Sequence, residues 1–126
     1  MEDKPKMLPP TLRGKKRYIV FEVISEGDFD YKELSRAVWF ASLSFLGELG
    51  TSACEIKMIK NLYNSREKKG VIRCAHDKLE YVRAALAFVT KVSNMNVIIK
   101  VLGVTGTINS AKRKFLGYVD LESFGE

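Results

Sequence analysis

A chain of 126 residues, 46% of them hydrophobic and 10% aromatic, suits one compact domain that buries a core without disulfide or metal staples and excludes disordered and fibrous classes. Lys and Arg outnumber Asp and Glu by 21 to 15, a formal charge of +6, which opens the nucleic-acid-binding class without deciding it. No run reaches the ~20 apolar residues that span a bilayer, and "MEDKPKMLPP" lacks the apolar stretch of a signal peptide, so the expected setting is a reducing, soluble compartment.

Residues 1–16 are polar, Pro-containing and mostly basic, and read as an extended arm. "RYIVFEVIS" (17–25) is a β-branched and aromatic run that predicts a strand. Asp30, three residues before Glu33, gives a capping-box-like start to a helix ending near Gly47 or Gly50. "SACEIKMIKNLYN" (52–64) reads as a second strand, "SREKKG" as a turn, and "VIRCA" (71–75) as a third strand. Asp77 and Glu80 repeat the D-x-x-E pattern and open a second helix through about Val92. "NVIIKVLGV" (96–104) is the fourth strand, and a short basic helix follows Thr107. The order strand, helix, strand, strand, helix, strand predicts an α+β, ferredoxin-like split βαβ domain. Its helices would cover one face of a four-stranded antiparallel sheet, with the first and third strands central. Residues 118–126, "YVDLESFGE", form an acidic tail.

Cys54 and Cys74 form no CxxC pair and His76 stands alone, so no metal site is expected. In the predicted topology the two cysteines fall well apart and read as core residues rather than a disulfide. His76 beside a helix start reads as a capping or surface residue, and no Ser/His/Asp or Cys/His set suggests a protein active site.

Both helices carry too many apolar faces. Leu34, Val38, Ala41 and Phe45 suffice to pack the first on the sheet, yet Trp39, Phe40, Leu43 and Leu46 lie roughly opposite. On the second, Leu79, Val82, Leu86 and Val89 form one stripe and Tyr81, Ala85, Phe88 and Val92 another. The surplus stripes predict a surface covered by a protein partner; burial within the monomer, by the two helices and the tail, is the competing explanation.

The stretch "GVTGTINSAKRKF" (103–115) spaces its glycines wrongly for G-x-x-x-x-G-K-[ST] and for G-x-G-x-x-G. A glycine turn, a helix start at Thr107 and the run Lys112, Arg113 and Lys114 together suggest a cradle for a phosphate backbone. Arg13, Lys15, Lys16 and Arg17 in the arm add a second cationic cluster, and two such segments favour a nucleic-acid backbone over a small anion. "KGVIRCA" starts like the third-strand consensus of an RRM, but Val71 and Arg73 stand where stacking aromatics belong. A sequence-reading sheet face is therefore not expected, and the face reads as a packing surface.

"LPPTLRGKKRYIVFEVIS", "LGELG", "GVIRCAHDKLEYVRAALAFV" and "VLGVTGTINSAKRKFL" resemble, in their order and spacing over about residues 8–117, the Pop-five-type protein subunit of archaeal and eukaryotic ribonuclease P. The resemblance implies a noncatalytic RNA-binding subunit that supports the catalytic domain of the ribonuclease P RNA in 5′ maturation of precursor tRNA. Its enzymatic role is then only that of a subunit of an endoribonuclease whose catalyst is RNA. It also implies a complex with the thirty-kilodalton, TIM-barrel-like ribonuclease P subunit, self-association through helices, and magnesium on the RNA with no cofactor on the protein. The implied place is the cytoplasm, or the nucleus in a eukaryote. Carried over by position, the RNA-facing residues are Arg13, Lys15, Lys16, Arg17, Thr105, Gly106, Thr107, Lys112, Arg113 and Lys114. Arg73 stands behind them, since pairing with an acid would equally explain a strand arginine. Thr105 replaces a serine of the family loop and keeps its hydroxyl. The competing readings are a sister ribonuclease P subunit, another ferredoxin-like RNA-binding module, or a dimeric domain that senses a small molecule.

Overall fold

The structure, a computed structural model, describes residues 15–116; Arg13, the arm before residue 15 and the acidic tail lie outside the described residues. In chain order the elements are β1 (Lys16–Ser25), α1 (Tyr31–Cys54), β2 (Lys57–Met58), β3 (Lys69–Ala75), α2 (Leu79–Ala87), β4 (Lys91–Val92), β5 (Met95–Thr105) and α3 (Ile108–Phe115). The strands make one antiparallel sheet in the order β2-β3-β1-β5-β4. Its strand count corrects the expected four: a hairpin adds a fifth strand at the β5 edge.

Strand alternation divides the core in two. Ile19, Phe21 and Val23 of β1, with Ile72 and Cys74 of β3, pack under α1 and α2 against Leu34, Val38, Val82 and Leu86. The intervening residues Val20 and Val71 face the other way and meet Leu62, Ala111 and Leu116. α1 and α2 therefore cover one face, while α3 sits on the opposite one. The second face is a packing surface at Val71, which is 1% exposed.

The start of α1 follows its sequence signal: the Asp30 N–H donates to Glu33 Oε1 at 3.2 Å. The end does not. Gly47 takes φ 74° and kinks the helix, but the chain re-enters helical geometry because Thr51 and Cys54, three residues apart, both point into the core. The predicted strand 52–64 is thereby reduced to Lys57–Met58, followed by a 3₁₀ turn at Lys60–Leu62. Cys54 ends a helix instead of opening a strand, and both free cysteines are buried in one core cluster, not well apart. Burial, reinforced by Cys54, pushes the Cys74 thiol up to about 11.

α2 departs from expectation at both ends. Asp77 and Glu80 form no capping box; a 3₁₀ turn at His76–Lys78 leads into the helix instead. The helix stops at Ala87, and Val92 pairs with Met95 across Ser93 and Asn94, whose φ values of 54° and 65° suit a two-residue hairpin turn.

That hairpin is tied to α1 by a hydrogen bond from the Ser93 hydroxyl to Glu33. This bond and the Asp30 N–H hold the Glu33 carboxyl below its ordinary value. A carboxyl depressed in the folded state stabilises the protein above its unfolded pKa, and the gain is lost as pH falls through the folded one. Ser93→Ala should therefore lower the melting temperature slightly at pH 7, and the difference should vanish in an acid series of melts.

Candidate nucleic-acid interface

α3 is built to lie on the sheet with its charges outward. Ile108, Ala111, Phe115 and Leu116 face inward, and Arg113 and Lys114 are exposed. Thr107 caps the helix: its Oγ1 accepts the Ser110 N–H at 3.1 Å and its carbonyl accepts the Ala111 N–H at 3.2 Å. In the last turn Lys112, Arg113 and Lys114 complement the negative end of the helix dipole.

The supposed cradle comes apart into separate pieces. Gly103 makes no turn; it lies inside β5, opposite Val20. A Cβ there would stand 2.2 Å from Phe115 Cζ, so the glycine makes room for the ring that anchors α3. Thr105 is 6% exposed and its hydroxyl donates to the Thr107 carbonyl at 2.9 Å. It stabilises the turn and offers no hydroxyl to a ligand, which corrects its place among the RNA-facing residues. Gly106 and Thr107 are exposed. The basic run lies in the last turn of an eight-residue helix, about 7 Å along its axis from the N-terminal N–H groups of Ile108 and Asn109.

A second cationic group gathers at that N-terminal end. Arg17 Nη1 lies 4.0 Å from where a Cβ on Gly106 would stand and donates to the Lys16 carbonyl at 3.1 Å. Lys16 itself pairs with Glu55, which lowers its value for an anionic partner. Lys15 is exposed, and its carbonyl accepts the His76 N–H at 2.9 Å, so the start of β1 is pinned to β3. His76 is exposed in the turn before α2.

Arg73 lies on the same sheet face as α3, in register between Lys57 and Tyr18, and Tyr18 in turn pairs with Thr105. Its Nε is buried without a hydrogen-bond partner, and no ion pair among the described residues includes it. Acid pairing therefore does not explain this arginine. Sequence reasoning missed Lys57, whose place beside Arg73 was hidden by the misread second strand.

The other face carries the apolar surplus. Trp39, Phe40, Tyr81 and Phe88 are exposed, Phe40 by 59%, and Leu43 and Leu46 are half-buried. Ala85 and Val92 are buried, which corrects their assignment to a partner surface: Ala85 turns into the α2 core contact and Val92 belongs to the hairpin. Phe45 corrects the reading in the other direction. Beyond the half-way point of α1 it swings outward to 41% exposure and meets Phe88 with ring centroids 4.5 Å apart. On either side of this pair lie grooves of about 510 Å³, beside Phe40 and Val92, and about 340 Å³, beside Leu46 and Tyr81.

The profile of the Rpp14/Pop5 family matches residues 17–116, all but the arm and the tail. The chain belongs to the Rpp14/Pop5 family. Among relatives of this family chain, the "Ribonuclease P protein component 2" of Pyrococcus horikoshii is 47% identical over 92% of this chain and 95% of its own length. The proteins of the same name from Thermococcus kodakarensis and Methanosarcina barkeri are 46% and 40% identical, covering 92% and 88% of this chain and 95% and 79% of their own. A chain of the yeast ribonuclease MRP cryo-EM structure superposes with a TM-score of 0.60 at 12% identity, over 90% of this chain and 94% of its own. That likeness shows the same α+β fold.

Among the described residues no group of three or more His, Cys, Asp or Glu side chains comes together, and no helix is long and apolar enough to cross a membrane.

Proposed function

We propose that this chain is a noncatalytic RNA-binding subunit of ribonuclease P, working in an RNA–protein complex that matures the 5′ ends of precursor tRNA. Family membership over residues 17–116 and the shared name of relatives up to 47% identical support that role. The observation that carries the RNA contact is the seating of α3: its apolar side is spent on the sheet, and Arg113 and Lys114 of the basic run are left exposed. Phosphate contacts at Lys112, Arg113 and Lys114, and at Lys15, Arg17, Gly106, Thr107 and Arg73 near the other end of α3, would position the protein on a folded RNA without reading bases. Arg13 and Lys16 complete the set, with Lys16 weakened by Glu55.

In this reading the chain comprises a basic arm over 1–16, a ferredoxin-like RNA-binding domain over 17–117 extended by the extra hairpin strand, and an acidic tail over 118–126. Cleavage belongs to the ribonuclease P RNA with its magnesium, the protein binds no cofactor, and the particle works in the cytoplasm, or in the nucleus of a eukaryote. The exposed side of α1 and α2, at Trp39, Phe40, Leu43, Leu46, Tyr81 and Phe88, receives the thirty-kilodalton TIM-barrel-like subunit or a second copy of this chain. Aromatic anchors beside grooves are the usual energetic centres of such contacts. Phe88→Ala should accordingly weaken co-assembly about tenfold in a titration against that subunit while leaving the melt of the isolated chain nearly unchanged.

Reconstitution tests the whole reading. The cognate RNA should cleave precursor tRNA faster at limiting magnesium when this chain and its thirty-kilodalton partner are added together. No stimulation by the pair, with both proteins folded, would overturn it.

A further inference from the structure

We infer that Tyr18, Arg73 and Lys57 form a subsite for one unpaired nucleotide of the RNA, with its phosphate held by the two cations and its base stacked on the tyrosine ring. Resting on the RNA-binding role proposed above, this subsite adds a contact on the sheet surface itself, apart from the basic run of α3. The three residues stand side by side on β1, β3 and β2: Arg73 pairs with Tyr18 on one side and with Lys57 on the other, at the ~5 Å spacing of neighbouring strands. Strand parity puts them on the face that α3 partly covers, since Val20 and Val71, two residues along, pack with Ala111 and Leu116.

As structure alone this row is unfavourable. Like charges directly opposite one another on neighbouring strands destabilise a sheet, and Lys57 and Arg73 are so placed. The Arg73 side chain is half-buried, and its Nε is shielded from water with no hydrogen-bond partner, so it loses hydration with no bond to replace it. Neighbouring acids do not offset these costs. Glu55 is paired with Lys16, which sits beside Ala75 one row further out. Glu22 lies on the same face four residues along β1 from Tyr18, about 13 Å away. No ion pair among the described residues includes Lys57 or Arg73. Two adjacent cations without an acid are complementary to a phosphate.

Tyr18 makes the ligand a nucleotide rather than a bare anion or an acidic peptide. Its half-buried ring packs against the α3 cluster, which fixes its position, and its hydroxyl enters no hydrogen bond among the described residues. An aromatic ring beside cations holds a single strand by stacking a base while the backbone follows the charge. A base within a duplex is already stacked on its neighbours, so only an unpaired one reaches the ring. The RRM takes its stacking rings from the strands of its sheet; here Val71 and Arg73 stand in place of the rings of β3, and β1 supplies one in Tyr18. A single ring stacks any base, so the subsite selects an unpaired nucleotide without selecting its identity.

The experiment uses the full chain with its thirty-kilodalton partner and the cognate ribonuclease P RNA. Tyr18→Leu keeps an apolar side chain in the α3 cluster and removes the ring; it should weaken RNA binding on the order of tenfold with the salt slope unchanged, while Tyr18→Phe binds like the parent. Arg73→Gln and Lys57→Gln should each flatten the slope by about 0.7, the single-strand value per phosphate contact. Acylation of RNA 2′-hydroxyls should find one nucleotide that the parent protects and that turns reactive in both the Tyr18→Leu and the Arg73→Gln complexes. Nucleotides protected by the basic run of α3 should stay protected in both, which a merely unseated α3 would not allow. Variants that bind and footprint like the parent would overturn the subsite and leave the RNA-binding role standing. Losses confined to partner-subunit binding would overturn it in favour of an acidic protein segment. A parent complex that does not bind the RNA would overturn the RNA-binding role and the subsite together.

Discussion

Alanine at Gly103 is expected to unseat α3 and to cost about 3 kcal/mol, the upper part of the range for forcing atoms into a packed core. The added Cβ would meet Phe115 Cζ at 2.2 Å and both Cε atoms at 2.7 and 2.8 Å, so the ring has to leave the strand. Its departure exposes the contact that Ile108, Ala111 and Leu116 make with Val20 and Val71. Calorimetry should show the melting temperature falling by roughly 10 °C for a domain of this size, with RNA affinity falling alongside because the basic run moves with the helix. Gly106→Ala is the matched control: only Arg17 Nη1 comes within 4.0 Å of its Cβ, so the change should stay within about 0.5 kcal/mol. Adding Phe115→Ala to Gly103→Ala removes the clash, and the pair should be more stable than the sum of the two single losses. A Gly103→Ala protein that melts like the parent would mean that Phe115 does not rest on this strand.

The role of Gly103 shows which parts of the molecule were legible in sequence. A glycine followed by Val, Thr and a second glycine reads as a turn because the turn residue and the gap-making residue are the same letter. Only the partner, Phe115, twelve positions on, tells them apart. The strands β1 and β5 were readable because each is a long run rich in β-branched residues, and β3 because Val71 and Ile72 follow a turn signal. The stretch from Gly47 to Asn64 was not. Gly47 gives the expected stop signal, but the two inward residues Thr51 and Cys54 draw the chain into a further helical segment, a tertiary effect that local propensity does not contain. Ser93-Asn94 did carry a local signal, since both residues tolerate the positive φ of a tight hairpin, but Val89 and Val92 at helical spacing concealed it. Of the candidate site, the cationic residues were legible as a composition and not as a geometry. Their division between the two ends of α3 follows from a helix axis that the sequence does not orient.

That division makes the second large effect measurable. Replacing Lys112, Arg113 and Lys114 together by alanine should flatten the dependence of RNA affinity on salt by up to about 2.7 log units per log unit of salt, at ~0.9 per phosphate contact in the duplex limit. Affinity at low salt should fall on the order of 100-fold. Arg17→Ala should remove at most about one contact. The two groups sit toward opposite ends of α3, about 7 Å or more apart along its axis, so their effects on the slope should add within error. Less than additive losses would mean that one phosphate group serves both ends. An unchanged slope in the triple variant would remove the basic run from the interface and turn attention to Arg17 beside Gly106 and to Arg73 with its neighbour Lys57. Stability does not confuse the measurement. Through the helix dipole Lys112, Arg113 and Lys114 each contribute about 0.3–1 kcal/mol, while Ile108, Ala111, Phe115 and Leu116, which hold α3 to the sheet, remain in place. Circular dichroism at the binding temperature should therefore show α3 intact, and the lost slope can be assigned to charge.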